Sequence, residues 1–178
     1  MKNSEELIQQ FILGNEKAFE TLVLFYKDSG QQFAQRYIPD FHIAEDIVQE
    51  SFVTCYLNRK KYKPSYSFKT YFYTIVRNKC IDHIRKQNRI LLYEISNSNI
   101  SVSAEEKLIQ KETLASLQHT INALHKPYKQ AIYLVDIEGC NYKEAARIMG
   151  RTLASFKVTL YRARKQLRQE LSEEATHE

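Results

Sequence analysis

The chain has 178 residues, enough for one ordinary domain or two small ones, and a modest net charge of +5. Four glycines, three prolines and the lack of any long apolar–polar alternation exclude a sheet-rich protein and point to an all-α fold. No apolar run approaches the ~18 to 20 residues of a membrane span, and an acidic pair in "MKNSEELIQQ" stands where a signal peptide needs an apolar core, so a cytoplasmic location is expected.

Taken in order, Ser4 can cap a first helix, with Glu5 and Glu6 favouring its positive end and Leu7, Phe11 and Ile12 at helical spacing. Asn15 caps a second helix whose apolar positions are Ala18, Phe19, Leu22, Val23 and Tyr26, extending through Phe33 and Tyr37 until Pro39 ends it. A third helix begins near His42 and carries Ile43, Ile47, Val48, Phe52 and Tyr56. "NRKKYKPSYS" (Asn58–Ser67) is a basic, aromatic loop broken by Pro64. A fourth helix runs from Phe68 to about Arg89, with a stripe of Phe68, Phe72, Ile75, Val76, Ile81 and Ile84. The polar segment "SNSNISVSAEE" (Ser96–Glu106) is the linker candidate. Helices are then expected over Leu108–Leu124, Pro127–Ile137, Tyr142–Met149 and Leu153 to about Leu171. The whole reads as two small helical domains joined by a flexible linker, the second with a helix-turn-helix.

Cys55, Cys80 and Cys140 are odd in number, far apart and without a C-x-x-C, which fits a reducing compartment and offers no disulfide framework or zinc site. Charge is unevenly spread. Residues 59–90 hold ten Lys/Arg against one acid, and residues 116–178 hold ten against seven. Two basic blocks separated by an acidic link suggest two contacts with a polyanion; the plainer alternative is a pair of solvated faces.

Three stretches carry chemistry. In "NYKEAARIMGRTLASFKVTLYRARKQL" (Asn141–Leu167), Ala146 permits two helices to cross, Gly150 accepts the left-handed backbone of a helix end, and Thr152 caps the next helix. Ile148, Met149, Phe156 and Leu160 face inward. Arg151, Thr152, Ser155 and Lys157 lie where a recognition helix touches bases, and Arg162, Arg164 and Lys165 where it meets phosphates. A charged helical hairpin is the alternative. In Arg59–Arg89, Tyr62, Tyr66, Tyr71 and Tyr73 stand among cations, the composition that grips separated strands by stacking and charge. Asn78, Asp82 and Arg85 share a face there, near Lys79, Lys86 and Arg89. Asp82 can pair with Arg85 or Lys86 for purely structural reasons, or Asn78 can meet a base edge. In "HIAEDIVQESF", Glu45, Asp46, Gln49 and Glu50 form a polar helix face. It is a solvated face, or a docking face for a basic partner. A hydrolase built on these acids lacks a nucleophile, an oriented base and metal ligands.

Together these segments resemble the extracytoplasmic-function (ECF) family of bacterial RNA polymerase sigma factors, over nearly the whole chain. "AEDIVQESF" (Ala44–Phe52) resembles the helix that binds the polymerase clamp helices. "FKTYFYTIVRNKCIDHIRKQNR" (Phe68–Arg89) resembles the helix that opens and reads the −10 element. "EAARIMGRTLASFKVTLYRARKQL" (Glu144–Leu167) resembles the helix-turn-helix that reads the −35 element. The resemblance implies no enzymatic activity, cofactor, metal site or small-molecule substrate. Its implied partners are core RNA polymerase (clamp helices and flap), promoter DNA as duplex and melted single strand, and an anti-sigma factor, membrane-anchored in some cases. A stress-response regulon is expected.

Carried over by position, Asp46, Gln49 and Glu50 would meet polymerase. Asn78, Asp82, Arg85 and Lys86 fall on the promoter-melting pattern. The loop Lys60–Ser67, with Lys60, Lys61, Tyr62, Lys63 and Tyr66, would form the pocket for a flipped base. Tyr71, Tyr73, Arg77, Lys79 and Arg89 complete the −10 surface. Arg151, Thr152, Ser155, Phe156, Lys157, Thr159, Arg162, Arg164 and Lys165 make up the −35 surface. The implied domains are residues 1–92 for polymerase and the −10 element, a linker at 93–112, and residues 113–178 for the −35 element. Departures from the family pattern are Tyr71 for a usual Trp, Thr159 for a common Arg, and His125-Lys126-Pro127 for a Leu-Pro opening. A self-sufficient regulator using only the C-terminal helix pair leaves the acidic and aromatic helices unexplained.

Overall fold

Helix formation follows the capping chemistry of the chain. A computed structural model describes residues 2–97 and 124–174; among these residues there is helix and turn and no strand. Helix α1 spans Lys2–Leu13, so Ser4 lies within its first turn rather than ahead of it. Helix α2 (Glu16–Gln35) is capped by Asn15, whose Oδ1 accepts from the Ala18 N–H at 3.1 Å. Helix α3 (Phe41–Leu57) begins where Asp40 Oδ1 accepts from the Ile43 N–H at 3.0 Å, one residue before the expected start. A 3₁₀ turn, Arg59–Lys61, opens the basic loop. Helix α4 (Phe68–Asn97) runs eight residues past the expected end, because no Gly or Pro lies between Pro64 and Pro127 to stop it.

The first compact unit comprises residues 1–97. In it α2, α3 and α4 pack on one another and α1 packs on α2. Its core is aromatic. Phe33 stacks on Tyr73 with centroids 4.5 Å apart, Phe52 stacks on Phe72 at 4.3 Å, and Phe11 meets Phe68 edge-on at 5.4 Å. Such pairs add about 0.5–1.5 kcal/mol each beyond area burial. Gly30 lets α2 approach α4: a Cβ there would lie 2.8 Å from Phe72 Cε1.

The second unit comprises residues 98–178. The expected helix Leu108–Leu124 and most of the linker lie outside the described residues, apart from Leu124, which is buried, and Ser96 and Asn97, which close α4. Helix α5 (Lys126–Ile132) carries Pro127 in its first turn and passes into a π-helical turn, Tyr133–Ile137. There the Glu138 N–H reaches the Tyr133 carbonyl at 2.9 Å, and the Tyr133 hydroxyl bonds Glu138 Oε1 at 2.7 Å. Helix α6 (Tyr142–Ile148) begins in a full capping box between Asn141 and Glu144. Gly150, at φ +62°, makes the turn into α7 (Leu153–Glu174). Tyr133, Leu134, Ile148, Met149, Phe156, Leu160 and Ala163 form the core.

Candidate nucleic-acid and protein interfaces

Asp46, Gln49 and Glu50 are exposed on one side of α3, as its spacing requires, since Ile47, Val48 and Phe52 turn inward. With Val53, Thr54 and Lys79 they border a shallow depression. Lys79 Nζ lies 3.1 Å from Glu50 Oε2, so one acid of this face is tied to α4. A neighbouring groove between α2 and α3 has Val48 and Phe52 among its apolar walls and Gln31, Glu45 and Gln49 among its polar ones.

The loop ahead of α4 exposes Lys60, Lys61 and Lys63 and buries Tyr62. The Tyr62 hydroxyl donates to the Tyr66 carbonyl, and its ring packs 5.0 Å from Tyr71 and 6.3 Å from Phe68. Burial, reinforced by Tyr26 and Tyr71, pushes the Tyr62 hydroxyl up to about 12. Burial likewise raises Tyr71. Tyr66 and Tyr71 remain half-exposed, so of the four tyrosines these two offer ring surface to a base.

Tyr73 corrects the sequence reading. Its ring is fully buried against Phe33, with Lys69 Nζ 5.7 Å from its centroid. It shares a helical stripe with Val76 and Cys80, at i, i+3 and i+7, and both of those are buried too. Tyr62 is corrected in part: its buried ring braces the loop rather than presenting a face.

Further along α4, Asn78, Asp82, Arg85, Lys86 and Arg89 are exposed. Asp82 Oδ1 lies 3.7 Å from Arg85 Nη1, both side chains well hydrated. Such a pair adds little stability and leaves both groups available. Arg77 is half-buried beside Tyr37, donates to Asn78 Oδ1 at 3.2 Å, and partly opposes the rise that burial imposes on the Tyr37 hydroxyl.

In the second unit the helix-turn-helix is built as its sequence chemistry requires. Thr152 Oγ1 accepts from the Ser155 N–H at 3.2 Å, and the Arg151 N–H bonds the Ala146 carbonyl at 2.8 Å across the turn. Arg151, Thr152, Ser155, Lys157, Arg162, Arg164 and Lys165 are exposed. Phe156 and Thr159 are not. They continue the buried stripe of Leu160 and Ala163, so the Phe156 ring, 6.2 Å from Tyr142, belongs to the core and the Thr159 side chain to its edge. The Arg164 guanidinium is engaged within the unit: Nη2 and Nε bond the Asp136 carboxylate, and Nη1 bonds the Tyr142 hydroxyl at 3.3 Å. These bonds, that to Asp136 foremost, raise its pKa further. Asp136 and Tyr142 escape sequence reasoning because they lie 28 and 22 residues from Arg164, beyond any helical spacing rule. Val53 and Thr54, beside the acidic face, could have been found by continuing the stripe one turn past Glu50.

Among the described residues no three His, Cys, Asp or Glu side chains gather as a metal site, and no helix is long and apolar enough to cross a membrane.

Comparison with known proteins bears on both units. Residues 26–90 match the family Sigma-70 region 2 and residues 114–167 match Sigma-70, region 4. The ECF RNA polymerase sigma factor SigM of Bacillus subtilis is 30% identical over 145 residues, covering 80% of this chain and 88% of its own. SigW of the same organism is 29% identical over 176 residues, covering 92% and 94%. Among solved structures, the sigma factor RpoE of Bartonella quintana, in complex with the anti-sigma factor NepR, is similar at a TM-score of 0.67 and 25% identity, covering 88% of this chain and 98% of that one. CnrH, solved with the cytosolic domain of CnrY, shares the fold at a TM-score of 0.67 and 23% identity, covering 96% and 97%. The two matched regions, in this order and on the exposed acidic, aromatic-basic and helix-turn-helix surfaces described above, make the chain a member of the ECF family of RNA polymerase sigma factors, which initiate transcription and are not enzymes.

Proposed function

We propose that this chain docks on core RNA polymerase through Asp46, Gln49 and Glu50, melts and reads the −10 element with the loop Lys60–Ser67 and the exposed side of α4, and holds the −35 element with the first turns of α7. Asn78 meets a base edge, while Arg85, Lys86 and Arg89 neutralise phosphates of the separated strands. Tyr66 and Tyr71 supply ring faces. Arg151, Thr152, Ser155 and Lys157 address the −35 duplex, and Arg162 and Lys165 its phosphates. The protein works in the cytoplasm under an anti-sigma partner that covers these surfaces, and serves a stress-response regulon. The Bartonella sigma factor solved with its anti-sigma protein supports the partner; the regulon rests on the family resemblance.

The observation that supports this reading best is the exposure, in one chain, of an acidic face on α3, an amide-and-cation face on α4 and a helix-turn-helix with basic leading turns. Run-off transcription with core polymerase and candidate promoters from the cell tests it. The expected result is a promoter-specific product that depends on this protein; its absence would overturn the reading. Asp46→Ala combined with Glu50→Ala should weaken core binding by about tenfold or more while leaving −35 duplex binding unchanged. Unchanged core affinity would remove the docking role.

A further inference from the structure

Thr159 and Arg151 form a contact that the proposed −35 reading does not use. Arg151 Nη1 donates to Thr159 Oγ1 at 2.9 Å, and Thr159 Oγ1 donates in turn to the Ser155 carbonyl, also at 2.9 Å. Thr159 is only 6% exposed, while Arg151 is exposed in the turn that leads into α7. The arginine therefore lies back along the first two turns of the helix, spanning eight positions of sequence. Its anchor is a hydroxyl at the edge of the core, and that hydroxyl is fixed by the helix backbone.

A free arginine side chain loses rotamer freedom when it is held in one geometry. Here part of that ordering is done before DNA arrives. A guanidinium has five N–H groups, so one spent on Thr159 leaves four for a base edge or phosphate. A buried threonine is suited to this task. Its side chain is only 6% exposed, and its oxygen has one carbonyl and one guanidinium to satisfy it.

We propose that Thr159 is a positioning residue for −35 recognition: without touching DNA, it aims Arg151 and so sets which −35 position the arginine reads. The inference deepens the −35 reading above and rests on it.

The test uses the full chain in holoenzyme and a set of promoters varied one base at a time across the −35 element. Arg151→Ala is expected to flatten the preference at one or two positions by roughly five- to a hundredfold, the range of a good side-chain-to-base contact. Thr159→Val keeps a branched side chain and removes the hydroxyl; it should flatten the same positions while the melting temperature stays near that of the parent. Thr159→Ser restores the hydroxyl and should restore the preference. The double variant Arg151→Ala/Thr159→Val should be no worse than Arg151→Ala alone. If Thr159→Val keeps the full preference while Arg151→Ala loses it, the positioning role is overturned. If the two effects add, Thr159 acts through packing and the proposal falls as well. If Arg151→Ala changes nothing at any position, the error lies in taking Arg151 as a DNA contact, and run-off activity of the unmodified protein tells whether the wider reading survives.

Discussion

At the scale of single residues, burial separates side chains that sequence reasoning places together. Tyr62, Tyr66, Tyr71 and Tyr73 all lie in the aromatic, basic segment, yet two are buried and two are half-exposed. Tyr62 is the informative case. Its hydroxyl holds the Tyr66 carbonyl and so closes the loop proposed to receive a flipped base. Its raised pKa of about 12 has a consequence for stability. Because the folded protein holds this proton more tightly than the unfolded chain, the contribution is complete below the ordinary tyrosine value near 10 and is lost as pH climbs toward 12. Chemical denaturation at a series of pH values should therefore show stability falling above pH ~10, by on the order of 1–3 kcal/mol from this residue. Tyr62→Phe should be less stable near neutrality, through loss of the bond to Tyr66, and should fall less steeply above pH ~10. Parallel curves for the two proteins across that range would show that Tyr62 titrates no differently folded and unfolded. Cys55 adds to the same alkaline loss, since burial pushes its thiol up to about 12. It therefore stays protonated at neutral pH, as expected of a packing cysteine.

At the scale of elements, most of the helices are legible because their signals are local. Asn15 and Thr152 cap as their side chains predict, the Asn141–Glu144 box opens α6, and Gly150 takes the left-handed turn. What sequence leaves open is decided by distant groups. Nothing near Tyr73 says that Phe33, forty residues earlier, will stack on it, and nothing near Arg164 announces Asp136. Exposed rings and core rings look alike until the partner helix is placed. Gly30 shows the same limit. It sits inside α2, where glycine costs helix stability, and the reason is the Phe72 ring of α4. Gly30→Ala gains helix propensity worth up to ~1 kcal/mol but sets a Cβ 2.8 Å from Phe72 Cε1, and Phe72 is itself stacked on Phe52. The ring cannot withdraw, so overpacking should win and destabilise the first unit by about 1–3 kcal/mol. Thermal or urea unfolding measures this; a variant as stable as the parent would mean that α2 can shift away from α4 without cost.

At the scale of the whole molecule, one chain carries two basic surfaces, proposed above to meet DNA in different states. The net charge of +5 understates this, because the acids of residues 1–58 offset the ten cations of residues 59–90 in the sum. The cations proposed to face duplex sit on α7 and the groups proposed to face separated strands on α4, so the two contacts should fail independently. Arg162→Ala with Lys165→Ala removes two exposed cations from the duplex surface. The holoenzyme should then bind closed promoter DNA more weakly, and the slope of log affinity against log salt should shrink by roughly two, near 0.9 per lost phosphate contact. A pre-melted fork carrying only the −10 element should bind as before. Asn78→Ala with Arg85→Ala should do the converse. Closed-complex affinity and its salt slope should hold, while permanganate reactivity of −10 thymines, which reports unstacked bases, should drop severalfold. If the α4 pair weakened the closed complex as much as the α7 pair does, the division of labour would be wrong. The two units would then grip duplex DNA together, and melting would have to draw on groups other than the amide and cations of α4.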